Sequence, residues 1–70
     1  MGKIKVKFHK ELYPVSAIKR AAEDFRKTAK FSLQGSPGYY SVTIDTFKAG
    51  EELEVRNNFI NYVLILSRTA

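Results

Sequence analysis

The sequence predicts a small α+β domain with element order β-α-β-β-α, and three observations carry that prediction. Hydrophobic residues alternate with lysines over residues 3–8, the period of a half-buried strand. Apolar residues then recur at spacings of three and four over residues 15–29, the period of an amphipathic helix. Two β-rich stretches next flank a short glycine–proline turn, the pattern of a hairpin, before an apolar block that opens on a run of acids.

The first strand is Lys3-Ile4-Lys5-Val6-Lys7-Phe8, with Ile4, Val6 and Phe8 on one face and three lysines on the other. An outward lysine row is also how edge strands are kept from pairing promiscuously. Pro14 suits the first turn of a helix, where its missing N–H costs nothing. Val15, Ile18, Ala22, Phe25 and Ala29 form one apolar stripe, so a helix is expected over about 14–29. Lys19, Arg20, Glu23, Arg26 and Lys27 take the solvent side, where Glu23 can pair with Lys19 or Lys27.

Phe31-Ser32-Leu33 reads as a short strand, and Gly35-Ser36-Pro37-Gly38 as a compact turn. Tyr39 to Phe47 is β-rich, with Tyr40, Val42 and Ile44 on one face and Tyr39, Ser41, Thr43 and Asp45 on the other. Lys48-Ala49-Gly50 breaks the pattern, and a last helix is expected from about Glu51. Acids at its start and Arg68 near its end complement the helix dipole. Tyr62, Val63, Ile65 and the Asn57-Asn58 pair lend some support to a strand there instead. The order fits a three-stranded antiparallel sheet with both helices packed on one face, a ferredoxin-like fold lacking its last strand. In that topology the first strand lies beside the third and becomes an edge, able to accept an extended peptide or a second subunit.

Seventy residues make a single domain, which buries only ~60% of the surface its unfolded chain exposes. Small scaffolds rely on disulfides, metals, oligomerisation or very efficient packing. With no cysteine and one histidine, disulfides, thiolate sites and a histidine-based zinc centre are out of reach, which leaves association as a means of completing burial. Residues 1–10 lack the apolar core of an export signal, and Val6 stands where myristoylation wants Ser or Thr. The longest apolar run is far short of the ~20 residues of a spanning helix. A cytoplasmic protein with no membrane partner is the expectation. Residues 1–30 hold nine Lys/Arg against three acids, a net +6, whereas residues 31–70 sum to −1. A basic half can steer an acidic peptide or phosphates, or simply confer solubility.

The block Asn58 to Leu66 is apolar or aromatic at seven of nine positions. As a helix its apolar residues circle the axis, more girth than one small core can cover. Phe59, Ile60, Tyr62, Val63, Leu64 and Leu66 are therefore the expected partner contacts, in a homodimer or a small hetero-complex. Phe59, Val63 and Leu66 with Tyr62 can reach the sheet, which leaves chiefly Ile60 and Leu64 uncovered. Lys3, Lys5 and Lys7 mark the expected peptide-docking edge.

No catalytic constellation stands out, and neither a cofactor nor a metal is expected. His9 has no identifiable carboxylate or nucleophile partner, and Ser16, Ser32 and Ser41 lack a glycine-elbow context. Asp45, Glu51, Glu52 and Glu54 lack an EF-hand spacing. The Gly35–Gly38 turn lacks the lysine and following helix of a phosphate loop. Gly38-Tyr39-Tyr40-Ser41-Val42-Thr43-Ile44 matches part of an RNA-recognition motif's third strand, although Ser41 replaces the second stacking aromatic. A small basic RNA-binding domain using Tyr39 is thus the alternative to a non-enzymatic protein- or peptide-interaction module.

Two segments resemble a known family. Leu12-Tyr13-Pro14-Val15-Ser16-Ala17-Ile18-Lys19-Arg20-Ala21-Ala22-Glu23-Asp24-Phe25 is similar to the opening of the small D components of His-Xaa-Ser peptide-maturation systems (HxsD-like proteins). There a tyrosine leads into an alanine-rich helix that ends in an aromatic residue. Phe59-Ile60-Asn61-Tyr62-Val63-Leu64 is similar to that family's C-terminal signature, without its aspartate before the tyrosine and with Ile65-Leu66 in place of a terminal arginine–glutamate. The resemblance implies an accessory protein that acts beside radical-SAM enzymes on a ribosomally made peptide. It supplies no catalytic residues.

Overall fold

The computed structural model of the chain describes residues 2–69. It contains β1 (Lys3–His9), α1 (Val15–Asp24), β2 (Ala29–Ser36), β3 (Tyr39–Thr46) and α2 (Glu52–Thr69), the order expected from the pattern. The sheet is antiparallel with strand order β1-β3-β2, so the first strand is an edge and β3 runs down the middle. This is the α+β arrangement of a ferredoxin-like topology without a fourth strand.

Side-chain alternation divides the sheet into a covered and an open face. Val6 and Phe8 on β1, Val42 and Ile44 on β3 and Ala29 on β2 are buried beneath the helices. They meet Ala17, Ile18 and Ala21 of α1 and Val55, Phe59 and Val63 of α2 in one core. Phe59 is the centre of that core. Its ring stacks on Phe31 at 4.7 Å and meets Phe8 and Phe25 edge-on at 5.9 and 5.8 Å. Such pairs add to the burial energy of a large side chain.

Helix α1 ends a turn before the end of its apolar stripe. Pro14 stands just outside the helix as its N-cap, with extended backbone, and its carbonyl accepts from the N–H groups of Ala17 and Ile18. At the other end Phe25 leaves helical geometry, and the Phe25 carbonyl accepts from Thr28 and Ala29 in a tight reversal. Ala29 then opens β2, where it is buried in the core. Apolar spacing could not tell helix from strand there. Glu23 pairs with Arg26 at 2.7 Å, three residues on, instead of Lys19 or Lys27.

Strand β2 is longer than Phe31–Leu33, and the hairpin closes on Pro37-Gly38 alone. Gly38 has φ +92°, which a side chain would strain, while proline presets the preceding position. Gly50, at φ +94°, makes the corresponding bend into α2. Thr46, the buried polar residue at the end of β3, donates its hydroxyl to Lys48 O at 2.9 Å, with Gly2 O at 3.3 Å. Among the described residues no helix is long and apolar enough to cross a membrane.

Candidate interaction edges

Hydrogen-bonded pairs alternate along an antiparallel ladder, which fixes where every backbone group of an edge strand points. Thr46 N–H donates to Gly2 O at 2.9 Å and Lys10 N–H to Gly38 O at 3.1 Å, bracketing β1. In that register Ile4, Val6 and Phe8 turn their backbone groups to β3. Those of Lys3, Lys5, Lys7 and His9 point out of the sheet edge. Their side chains stand on the open face, away from the helices, and are exposed. Each of these lysines therefore presents an unpaired strand rung and a positive charge together.

Above this edge lies α2, which packs on β1 and β3. The Tyr62 hydroxyl donates to Asp24 of α1 and so marks the flank of α2 that faces α1. Val55, Phe59 and Val63 face the sheet. At about 100° per residue, Arg56 and Ile60 fall on the flank turned away from α1, with Leu53 and Leu64 beyond them. Arg56 and Ile60 are half-buried, Leu53 is 62% exposed and Leu64 36%. The Arg56 Nε is buried without a hydrogen-bond partner. A polar edge below and an apolar flank above thus frame the place a fourth strand would take.

The expected partner surface divides accordingly. Phe59 and Val63 have no exposure at all and belong to the core, so no partner reaches them on the folded chain. Tyr62 and Leu66 are half-buried and pack against that core on the side of α1 and the sheet. Ile60 and Leu64 stay on the outer flank. Two exposed apolar residues, Leu53 and Ile65 (56% exposed), were hidden from pattern reading because the helix is apolar on every side. Only the direction of α1 and the sheet distinguishes them.

Tyr39 lies on the open face of β3, in register with His9 on one side and Ser36 on the other. The Lys7 Nζ sits over its ring, 4.8 Å from the centroid, a cation–π contact on the face a base would stack upon. Asp45 is placed between Lys3 and Lys30 in register. It stands apart from the acids of α2, and no group of three or more His, Cys, Asp or Glu side chains that could hold a metal comes together among the described residues.

Two titrating groups tie α2 in place. The Asp24 carboxylate accepting from the Tyr62 phenol pushes that phenol above its ordinary pKa, and burial adds to the effect. The Gly50 N–H, 3.1 Å from both carboxylate oxygens of Glu52, holds that carboxyl below its ordinary value, assisted by the residue's own N–H.

On the opposite rim, β2 borders a groove of about 520 Å³ under α1, floored by Phe31, Leu33, Ile18, Ala22 and Val42. Phe31 and Leu33 are half-buried along this rim, and neither they nor the early end of α1 marked a groove in the sequence. Comparison of the chain with protein-family models, curated proteins and solved structures finds no match.

Proposed function

We propose that this chain is a protein-interaction module that takes an extended segment of a partner as the fourth strand of its sheet, along β1. The observation that carries the reading is the coincidence, at Lys3, Lys5 and Lys7, of open backbone rungs with outward positive charge. Strand addition satisfies the rungs through main-chain hydrogen bonds and reads the incoming side chains two residues apart. Residues of the incoming strand on the open face would stand opposite lysines, so they are acidic. Those on the helix face would meet Ile60 and the uncovered flank of α2, so they are apolar.

The same geometry disfavours a second copy as the occupant. Residues directly opposite in a ladder lie on the same face, so pairing β1 with β1 sets lysine against lysine, which is destabilising. A hetero-complex with an acidic, alternating segment follows. The similarity of residues 12–25 and 59–64 to the D components of peptide-maturation systems supports a ribosomally made peptide as the source of that segment, with the chain as an accessory and not the enzyme.

The test is a labelled peptide alternating glutamate with valine, titrated against the wild-type chain and against the triple reversal Lys3→Glu/Lys5→Glu/Lys7→Glu. Weaker binding by the reversed chain at low salt supports the reading; equal binding by both removes it. The rival is single-stranded RNA on the open face, favoured by the exposed Lys3, Lys5, Lys7 and Lys30 and the half-buried Tyr39 there. Lys7 already occupies the ring, which counts against stacking. RNA affinity that grows steeply as salt falls and is lost in Tyr39→Ala would favour the rival.

A further inference from the structure

We infer that the groove between α1 and the free edge of β2 is a second strand-binding site, built for an extended partner segment of alternating apolar and acidic residues. Independent of the reading of β1, it rests on three features of the opposite rim.

The first is the ladder. Lys30, Ser32, Gln34 and Ser36 spend their backbone groups on β3, so those of Phe31, Leu33 and Gly35 point outward. Only an extended chain presents donors and acceptors at the matching repeat. The second is the groove itself. Residues of an added strand opposite Phe31, Leu33 and Gly35 fall on the helix face, and there the groove of about 520 Å³ receives them over Ile18, Ala22 and Val42. At Gly35 a side chain is missing, and only the Tyr40 ring would lie within 4 Å of one, so an incoming residue has room there.

The third feature is charge, which selects among occupants. The groove is lined by Lys19, Arg26 and Lys30 against Glu23, which pairs with Arg26, a net +2 among the lining residues, and Asp45 of β3 stands opposite Lys30 on the open face. A second copy would bring a cationic rim against a cationic rim on a chain of net charge +5. An acidic partner meets no such repulsion. With a strand site on each rim, one three-stranded sheet can hold an extended segment on either edge.

The experiment isolates this rim by using the triple reversal Lys3→Glu/Lys5→Glu/Lys7→Glu, whose first edge repels an acidic probe. A nine-residue peptide alternating aspartate with leucine or valine is titrated while backbone amide resonances are followed. The expected result is that the amides of Phe31, Leu33 and Gly35 shift and their hydrogen exchange slows. Ala22→Phe, which fills the groove from a half-exposed position, is expected to weaken binding at least tenfold with the remaining spectrum native. Lys19→Glu/Lys30→Glu, at two exposed positions, is expected to weaken it without altering the apolar floor.

Shifts confined to the open face or to α2, or an affinity unchanged by Ala22→Phe, would overturn the assignment. So would a concentration-dependent dimer abolished by Ala22→Phe, which would give the groove to a second copy. The two proposals fail separately: equal binding of the probe by wild type and triple reversal removes the β1 site, whereas silence at Phe31, Leu33 and Gly35 removes this one.

Discussion

β1 and β2 are the two rims of one sheet, and they differ in what stands beside their open backbone groups. On β1 the rung-bearing residues carry lysines, which project to the open face. On β2 they are Phe31 and Leu33, whose half-buried side chains turn under α1. A charged rim attracts from a distance and discriminates by sign, an effect that salt removes. An apolar rim discriminates chiefly by shape at contact, and salt weakens only the share that the cations around it, Lys19 and Lys30, supply. An edge strand can thus be kept from indiscriminate pairing in two ways, by repulsion or by partial concealment, and each reads an alternating partner segment by a different dominant force.

The largest effect is expected where the two rims share an anchor. Phe59 touches Phe8 of β1 and Phe31 of β2 and has no exposure. Phe59→Ala removes a buried aromatic, a loss of about 3–5 kcal/mol. A chain of this length has roughly 4–10 kcal/mol of folding free energy at the usual value per residue. Thermal melting followed by circular dichroism should therefore show a midpoint lowered by about 12 °C or more, with both rims lost in the same transition. A variant that kept one rim protected from hydrogen exchange would show that they do not share this support.

Reversing the β1 lysines should act on one rim only. Cross-strand pairs of opposite charge contribute about 0.2–1 kcal/mol each, so three reversals are expected to weaken an acidic strand on β1 by tenfold or more at low salt. The difference should shrink as ionic strength rises, while binding under α1, with its apolar floor and fewer cations, falls less across the same titration. Equal salt dependence at the two rims would abolish the distinction drawn between them.

Much of this arrangement was legible in the residues. Alternation at Ile4, Val6 and Phe8 set the face of β1, and the short hairpin with the split order made it an edge. The second rim was not legible, because its groove exists only where α1 stops at Asp24 and Ala29 joins β2 instead of the helix. Apolar spacing was compatible with either course, and the reversal around Phe25 decided it. On α2 the sequence turned Phe59, Val63, Leu66 and Tyr62 toward the sheet and left Ile60 and Leu64 outside, but it gave no sign that Leu53 and Ile65 lie at the surface. Phe59 and Val63 proved to be core and Leu53 to be surface, because orientation is set by contacts with Phe31, Phe25 and Asp24 that lie far away in sequence.

A smaller effect follows at alkaline pH. The Tyr62–Asp24 bond fastens α2 to the end of α1, the helix that walls the β2 groove. The phenol titrates above its ordinary value in the folded chain, so its contribution to stability is complete below the unfolded value of about 10. It is lost as pH rises through the folded pKa. Tyr62→Phe should be less stable than wild type at neutral pH, and the gap should close above that range. A gap that stayed constant through the alkaline limb would mean that the phenol contributes no more than packing.

The smallest effect is expected at acid pH, on the side of β1. Glu52 accepts from the Gly50 N–H at the start of α2, and its carboxyl titrates below its ordinary range in the folded chain. Its contribution is therefore present above the unfolded value of about 4.3 and lost as pH falls through the lower folded value. Glu52→Gln should reproduce the acid-weakened state at neutral pH. Gly2 offers a second handle, because a Cβ there would run into the Glu52 carboxylate and displace it from Gly50. Gly2→Ala should accordingly flatten the acid limb of the stability profile as Glu52→Gln does. If Gly2→Ala kept the full acid limb, the carboxylate would have found its donor again from another rotamer, and the space beside Gly2 would not govern the Glu52–Gly50 bond.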